Sequence, residues 1–525
     1  MTTIPSPAST RQSHRPRRRG LLFAVAAAAL LALPLAAQQE ISEQAAVRFL
    51  DQATFGATPD LVAHVQQTGF DAFLTEQFAL PPSTYDDPVP DAQGNTSWRP
   101  TQQRFFYNAV NGEDQLRQRM AWALLQIVVT SGVKLNRPER MLPSIRMLQS
   151  DAFGKYRALI QDVTLSPAMG HYLDMVNNNK PTPTQGANEN YARELLQIFT
   201  IGLNQLNPDG TPKLDAGGNP IPTYDQETIE ELARVFTGWT YAPLPAAASR
   251  FGNPANWNAP MTPIETHHDT GVKVLFGSLT LAAGQTAETD LAQALDAICS
   301  HANVAPFISR NLIQHFVTSE PTPAYVARVA HVFSATRGDL KSVLRAILLD
   351  TEARHGDDGA APRFFTGHLR EPVLYITDMT RALGAVVAQD NSLPDYSNTL
   401  GQNVFYSPTV FNYYPPSYVI PDTQWNAPEF AILSGSLAML RADFANALIY
   451  GRINGVSVDL ARFTTFAATP PTLLGWLNAQ FFHGAMTTQM RDVFAAAMHA
   501  QTSTKAAAQT ALYLAGSSSQ YQVMR

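Results

Sequence analysis

The chain has 525 residues, 45% of them hydrophobic and 15% charged. That is enough apolar material for a large core and too little charge for a disordered chain. With 37 basic and 43 acidic residues the formal net charge is −6, so no basic excess points to nucleic acid.

A basic stretch (Arg15, Arg17, Arg18, Arg19) is followed by an apolar run from Leu21 to Leu35, then by Ala36 and Ala37, then by polar Gln38 and Gln39. This order is that of a secretory signal. Cleavage is expected after Ala37, leaving residues 38–525 as one mainly helical domain. The apolar run of 15 residues is shorter than the roughly 20 that a spanning helix needs. No later stretch reaches the length and apolarity of a span, so no transmembrane segment is expected after cleavage. Arg18-Arg19 keeps the twin-arginine route open beside the general one, although Arg17 stands where serine or threonine is expected. The expected location is periplasmic, cell-surface or extracellular.

Helical spacing dominates the rest. Leu116, Met120, Ala123, Leu124 and Ile127 form one apolar stripe across residues 114–129, with Arg117 and Arg119 off it. Similar spacing predicts helices over 325–333 and 340–349, and the Ala-, Leu-, Met- and Phe-rich tail over 473–514 also reads as helical. Proline and glycine mark long loops at 81–100, 207–220, 242–263 and 413–428, the last unusually aromatic. Residues 272–276 and 279–281 have strand composition, and Gly277-Ser278 between them suits a two-residue hairpin turn. The expected fold class is therefore mainly α: a large single helical domain with a small β-hairpin and several long Pro/Gly-rich loops. Cys299 is the only cysteine. It cannot form an intramolecular disulfide, and its helical setting predicts a buried structural thiol.

Residues 188–200 carry the strongest local signal. Asn188 is a good N-cap, and Glu189 suits the first helical turn. Steps of about 100° per residue put Tyr191, Ala192, Leu195, Leu196, Ile198 and Phe199 on one side. Glu189, Asn190, Arg193, Glu194, Gln197 and Thr200 share the other. Glu189 can pair with Arg193, and Asn190 with Glu194, each four residues on. Such a strip is either an ordinary solvated face or the wall of a cleft suited to a metal, a sugar or a phosphate ester. Thr223 with Gln226 then resembles a capping box, and Ile229, Leu232, Ala233 and Phe236 form the stripe of the helix that Gly238 closes. Arg234 and Trp239 are placed to flank a site or to serve packing. His267-His268-Asp269 precedes a turn and Lys273. It offers either metal ligands or a base with an orienting carboxylate, although it lacks the spacing of a zinc-protease helix. No Gly-x-Ser-x-Gly elbow, phosphate loop, dinucleotide fingerprint or paired CxxC occurs.

These residues resemble a known exported bacterial family, domain of unknown function 1800. Residues 46–56, 116–124, 188–202 and 232–239 are similar to its helices, and so are His268-Asp269 with Gly271 and Lys273. Phe307 to Leu312, His315-Phe316-Val317, and Gly401-Gln402-Asn403 through Asn412 continue the likeness. His301-Ala302-Asn303 departs from the His-Pro expected at one helix start. The resemblance implies an exported, mainly helical protein, often encoded beside an exported alkaline-phosphatase-like protein that becomes the candidate partner. It implies no catalytic activity.

Two functions stay open. One is an envelope or extracellular binding and assembly protein. The alternative is a metal- or carboxylate-assisted hydrolase acting on an extracytoplasmic polymer or ester. In the enzyme, Glu189 and Glu194 would be base or ligands, Arg193 an anion holder, and His268 an acid/base or ligand beside Asp269. Asn188, Asn190, Gln197, Arg234 and Lys273 would bind the ligand. The candidate cofactor is a divalent metal on Glu189, Glu194, His268 or Asp269.

Overall fold

Short polar residues start many of the helices. Ser42, Thr58, Thr286, Thr322, Asp339 and Ser434 each accept from a backbone N–H in the first turn that follows, which satisfies a donor the helix itself leaves open. The computed structural model describes residues 40–357 and 367–525; the expected signal at 1–37 lies outside them. Among the described residues there are twenty-two α-helices and four two-stranded antiparallel pairs, so the fold is mainly α. No helix among them is long and apolar enough to cross a membrane.

The predicted helices form at Gln115–Ile127, Pro323–Ala335 and Leu340–Leu348. The tail divides into Pro470–Gln480, Thr488–His499 and Thr504–Ser517. The Gln115–Ile127 helix is buried nearly all round rather than along one stripe. Arg119 is 1% exposed. Its guanidinium lies 5.7 Å from the Phe55 ring and 5.0 Å from the Phe316 ring, and Nη2 donates to the His315 carbonyl at 2.8 Å. Aromatic faces and a carbonyl replace the water that such a group otherwise keeps.

The hairpin forms with Lys273 opposite Leu281 and Leu275 opposite Leu279. Its turn is centred on Phe276-Gly277, both at positive φ (53° and 63°), one residue earlier than predicted. Ser278 closes it by donating to the Leu275 carbonyl at 3.2 Å. Asp225, not Thr223, caps the helix Gln226–Val235. Thr223 is buried and receives a hydrogen bond from Asn303. Asn303 also donates to the Ile201 and Asn204 carbonyls and accepts from Leu206 N–H, so it fastens the 201–223 segment.

Residues 41–525 form one unit around a continuous apolar core. Within it, His368–Leu369 pairs with Val523–Met524. Next to that pair, Arg370 bridges Asp51 (2.6 Å) and Asp378 (2.7 Å). His483 reaches Asp51 at 2.9 Å, and Tyr521 donates to Asp378 at 3.2 Å. The helix Glu43–Ala53, the helix Pro372–Ala382 and the end of the chain are joined at this buried knot.

Candidate functional site

The predicted strip does not form one regular helix. Asn190–Glu194 is α-helical and Leu195–Thr200 is a π-helix. Thr200 Oγ1 donates to the Leu195 carbonyl at 2.5 Å, and Ile201 N–H to Leu196 at 3.1 Å, both five residues back. The wider π turn breaks the 100° count. Thr200, expected on the polar side, is fully buried, and Ile198, expected in the core, is only half-buried. Single π turns inside helices often mark functional sites.

Part of the strip is tied up in bonds at the surface. Asn188 accepts from Asn190 N–H at 2.9 Å. Glu189 pairs with Arg193 at 2.8 Å as predicted, and both meet Gln226. Asn190 donates to Asp174 at 3.2 Å and not to Glu194. Glu194 keeps one buried oxygen without a partner among the described residues; burial raises its pKa, against the pull of Arg193. Gln197 is half-buried.

The second predicted group is a separate arrangement. Asp269 is held by Arg234 through two bonds of 2.8 and 3.1 Å. Burial opposes its ionisation, but that guanidinium, the Gly271 N–H and Lys273 bring its pKa below the usual value. His268 and Lys273 meet inside the protein at Asp290, at 3.1 and 2.6 Å, with all three side chains fully buried. This is a closed ion cluster that pins the hairpin to the helix Ala287–Ser300. His268 bonds to Asp290, Thr237 and the Thr237 carbonyl, and the bonds of Glu189 and Glu194 described above do not include it. Among the described residues, no three His, Cys, Asp or Glu side chains are grouped to hold a metal ion.

Other residues converge on a pocket. It has a cavity volume of about 40 Å³ and opens to solvent, lined by Gln126, Ile198, Asn311, His315, Phe411, Asn412, Tyr414 and Glu429 among others. The π turn thus supplies Ile198 to its wall. The helix Val304–Phe316 supplies Asn311 and His315, one turn apart and on the same face. Neither side chain has a hydrogen-bond partner among the described residues, although Asn311 is only 9% exposed. Burial takes the His315 imidazole down to about 4, against the opposing pull of Glu371 and Glu429. At neutral pH it is therefore an uncharged ring with one donor and one acceptor.

Behind this wall sits Glu371, the last residue before the helix Pro372–Ala382. Its carboxylate accepts from Trp122 Nε1 at 2.5 Å, Gln402 Nε2 at 2.7 Å and Tyr414 OH at 2.7 Å. Burial works against the charge, but these bonds with His315 and Arg119 hold its pKa below the ordinary range. Glu429 accepts from Ser319 at 3.0 Å and lies 3.4 Å from His368. The aromatic loop is tied over the pocket by Asn426, which donates to the Pro416 and Tyr418 carbonyls and accepts from Gln314 at 2.6 Å. Val419 and Trp425 on this loop, and Phe411 just before it, stay 40–45% exposed.

Sequence reasoning missed this site because its residues come from distant segments. The local signals were the aromatic loop and Asn311 and His315 at i, i+4, the latter two inside the stretches that carry the family resemblance. Comparison with known proteins agrees with that resemblance. The family model described as "Protein of unknown function (DUF1800)" matches residues 48–523, and the chain belongs to that family. No curated protein and no solved structure matches it.

Proposed function

We propose that this member of the DUF1800 family works outside the cytoplasm as a binding protein, holding an uncharged, hydrogen-bonding ligand in the pocket between Asn311, His315 and Tyr414. One observation carries the reading: two polar side chains on one helix face line a pocket and bond to nothing among the described residues. A mostly apolar pocket with a few convergent polar groups is the usual form of a small-molecule site. Export rests on the basic, apolar and small-residue order of residues 15–37, and N-terminal sequencing of the protein recovered outside the cytoplasm would test it. The exported alkaline-phosphatase-like partner is carried by the resemblance alone, and co-purification of the two tests it.

The hydrolase reading has one observation in its favour. His315 lies in the field of two buried carboxylates, Glu371 and Glu429, which would stabilise an imidazolium formed as the ring takes a proton from water attacking an ester. It is thus carried by His315 rather than by Glu189, Glu194 or His268.

A thermal-shift screen of neutral small molecules tests the binding reading. Hits should raise the midpoint of the wild-type chain and lose that effect in Asn311→Leu and His315→Phe. Hits that stabilise both variants as well as wild type would refute the site.

A further inference from the structure

We infer that the pocket takes a saccharide: a ring with neighbouring hydroxyls and an apolar face. This rests on the binding reading above and names its ligand class. The first argument is charge. Both oxygens of Glu371 are engaged by Trp122, Gln402 and Tyr414, and Glu429 is held beside Ser319 and His368. Arg119 is buried behind the wall with a nitrogen on the His315 carbonyl, and His315 itself is neutral near pH 7. Among the described residues that line the pocket there is no arginine or lysine to receive an anionic ligand, and desolvating an unpaired ion is costly.

The second argument is the match of donors and acceptors. The Asn311 amide and a neutral imidazole each offer a donor and an acceptor. A hydroxyl is the ligand group that answers both roles from one atom. Side chains at i, i+4 stand about 5–6 Å apart at Cβ, a separation that hydroxyls on one ring can bridge. A peptide segment carries its donors and acceptors on separate atoms along a chain.

The third argument is the apolar surface. Phe411 lines the pocket while remaining 40% exposed, and Ile127, Ile198, Val410, Pro416 and Pro428 complete the lining. A sugar ring presents C–H faces to such a surface while its rim of hydroxyls meets the helix wall. An aromatic ring at the pocket mouth is amphipathic in the same sense and loses little conformational freedom when a ligand packs on it.

The test is calorimetric titration of the full chain with glucose, galactose, mannose, N-acetylglucosamine and their disaccharides, beside N-acetyl dipeptide amides as neutral amide ligands. The expected result is saturable binding of at least one saccharide, weakened about tenfold or more in Asn311→Leu and in His315→Phe, with unfolding midpoints unchanged. Where His315→Phe fails to fold, His315→Gln replaces it. Dipeptide amides that bind and are lost in the variants, with no sugar binding, would overturn the saccharide class and leave the pocket reading standing. Sugar binding that ignores both variants would place the sugar elsewhere and overturn the inference. No binding of either class would sink the inference and the pocket reading together.

Discussion

Replacing Glu371 with glutamine changes one oxygen for an NH2 group and keeps the shape. The four donors on the carboxylate, Trp122, Gln126, Gln402 and Tyr414, then decide the cost. With its NH2 on the Oε1 side, the new amide would face Trp122 Nε1, now at 2.5 Å, which can only donate. With its NH2 on the Oε2 side, it would face Gln402 Nε2, now at 2.7 Å. Gln402 cannot turn over, because its Oε1 accepts from Val373 N–H at 2.9 Å. Either way one charge-assisted bond is lost and a buried donor is orphaned, a loss of about 2–4 kcal/mol. Arg119 also loses a compensating charge, which adds in the same direction. Tyr414→Phe removes a single bond to the same carboxylate and should cost about half as much. Urea unfolding followed by far- and near-ultraviolet circular dichroism gives both numbers, with unchanged slopes expected. A Glu371→Gln protein within about 0.5 kcal/mol of wild type would refute the reasoning, because a carboxylate holding four buried donors cannot be so replaceable.

Asp378 shares Arg370 with Asp51, and burial followed by the Asp51 charge raises it from 3.8 to about 7. Its folded pKa lies above its unfolded value, so its stabilisation is full below the unfolded pKa and is lost as pH rises through about 7. Asp378→Asn mimics the protonated form; its stability should therefore gain on wild type as pH rises through that window, and parallel curves from pH-dependent urea melts would contradict this. Asp290→Asn leaves Lys273 buried without its charge partner and should cost about 3–5 kcal/mol, whereas Arg193→Ala at the exposed pair with Glu189 should cost under about 1 kcal/mol; the same melts compare them. Gly238 sits at φ +84°, and a Cβ there would meet His268 N at 2.9 Å. Gly238→Ala should cost about 1–3 kcal/mol from the strained backbone alone, more with the clash, and a neutral effect on the unfolding midpoint would show that the loop yields.

Local chemistry was legible wherever it acts over a few residues. The hairpin at 273–281, the helices around 115–127 and 340–348, and the Glu189–Arg193 pair follow from spacing and turn chemistry. The failures have physical causes. A constant angular step cannot anticipate the π turn at Leu195–Thr200, so Thr200 turned inward and Ile198 partly outward, while Leu196 and Phe199 stayed in the core as expected. Arg119 reads as a surface residue until Phe55 and Phe316, far away in the chain, enclose it. His268 and Lys273 look available until Asp290 arrives from a later helix to bury them. The pocket gathers residues 126, 198, 311, 315, 410–412, 414 and 429, and a constellation so spread leaves little periodic trace in any one window.

The imidazole of His315 tests the account most directly. The chain has 12 histidines, and ring-labelled histidine spectra of wild type and His315→Phe identify the one resonance that matters. The account predicts a ring that stays neutral until pH falls to about 4 and shifts when a pocket ligand is added. A His315 resonance titrating near the ordinary histidine value of about 6.5, and indifferent to every ligand, would contradict it.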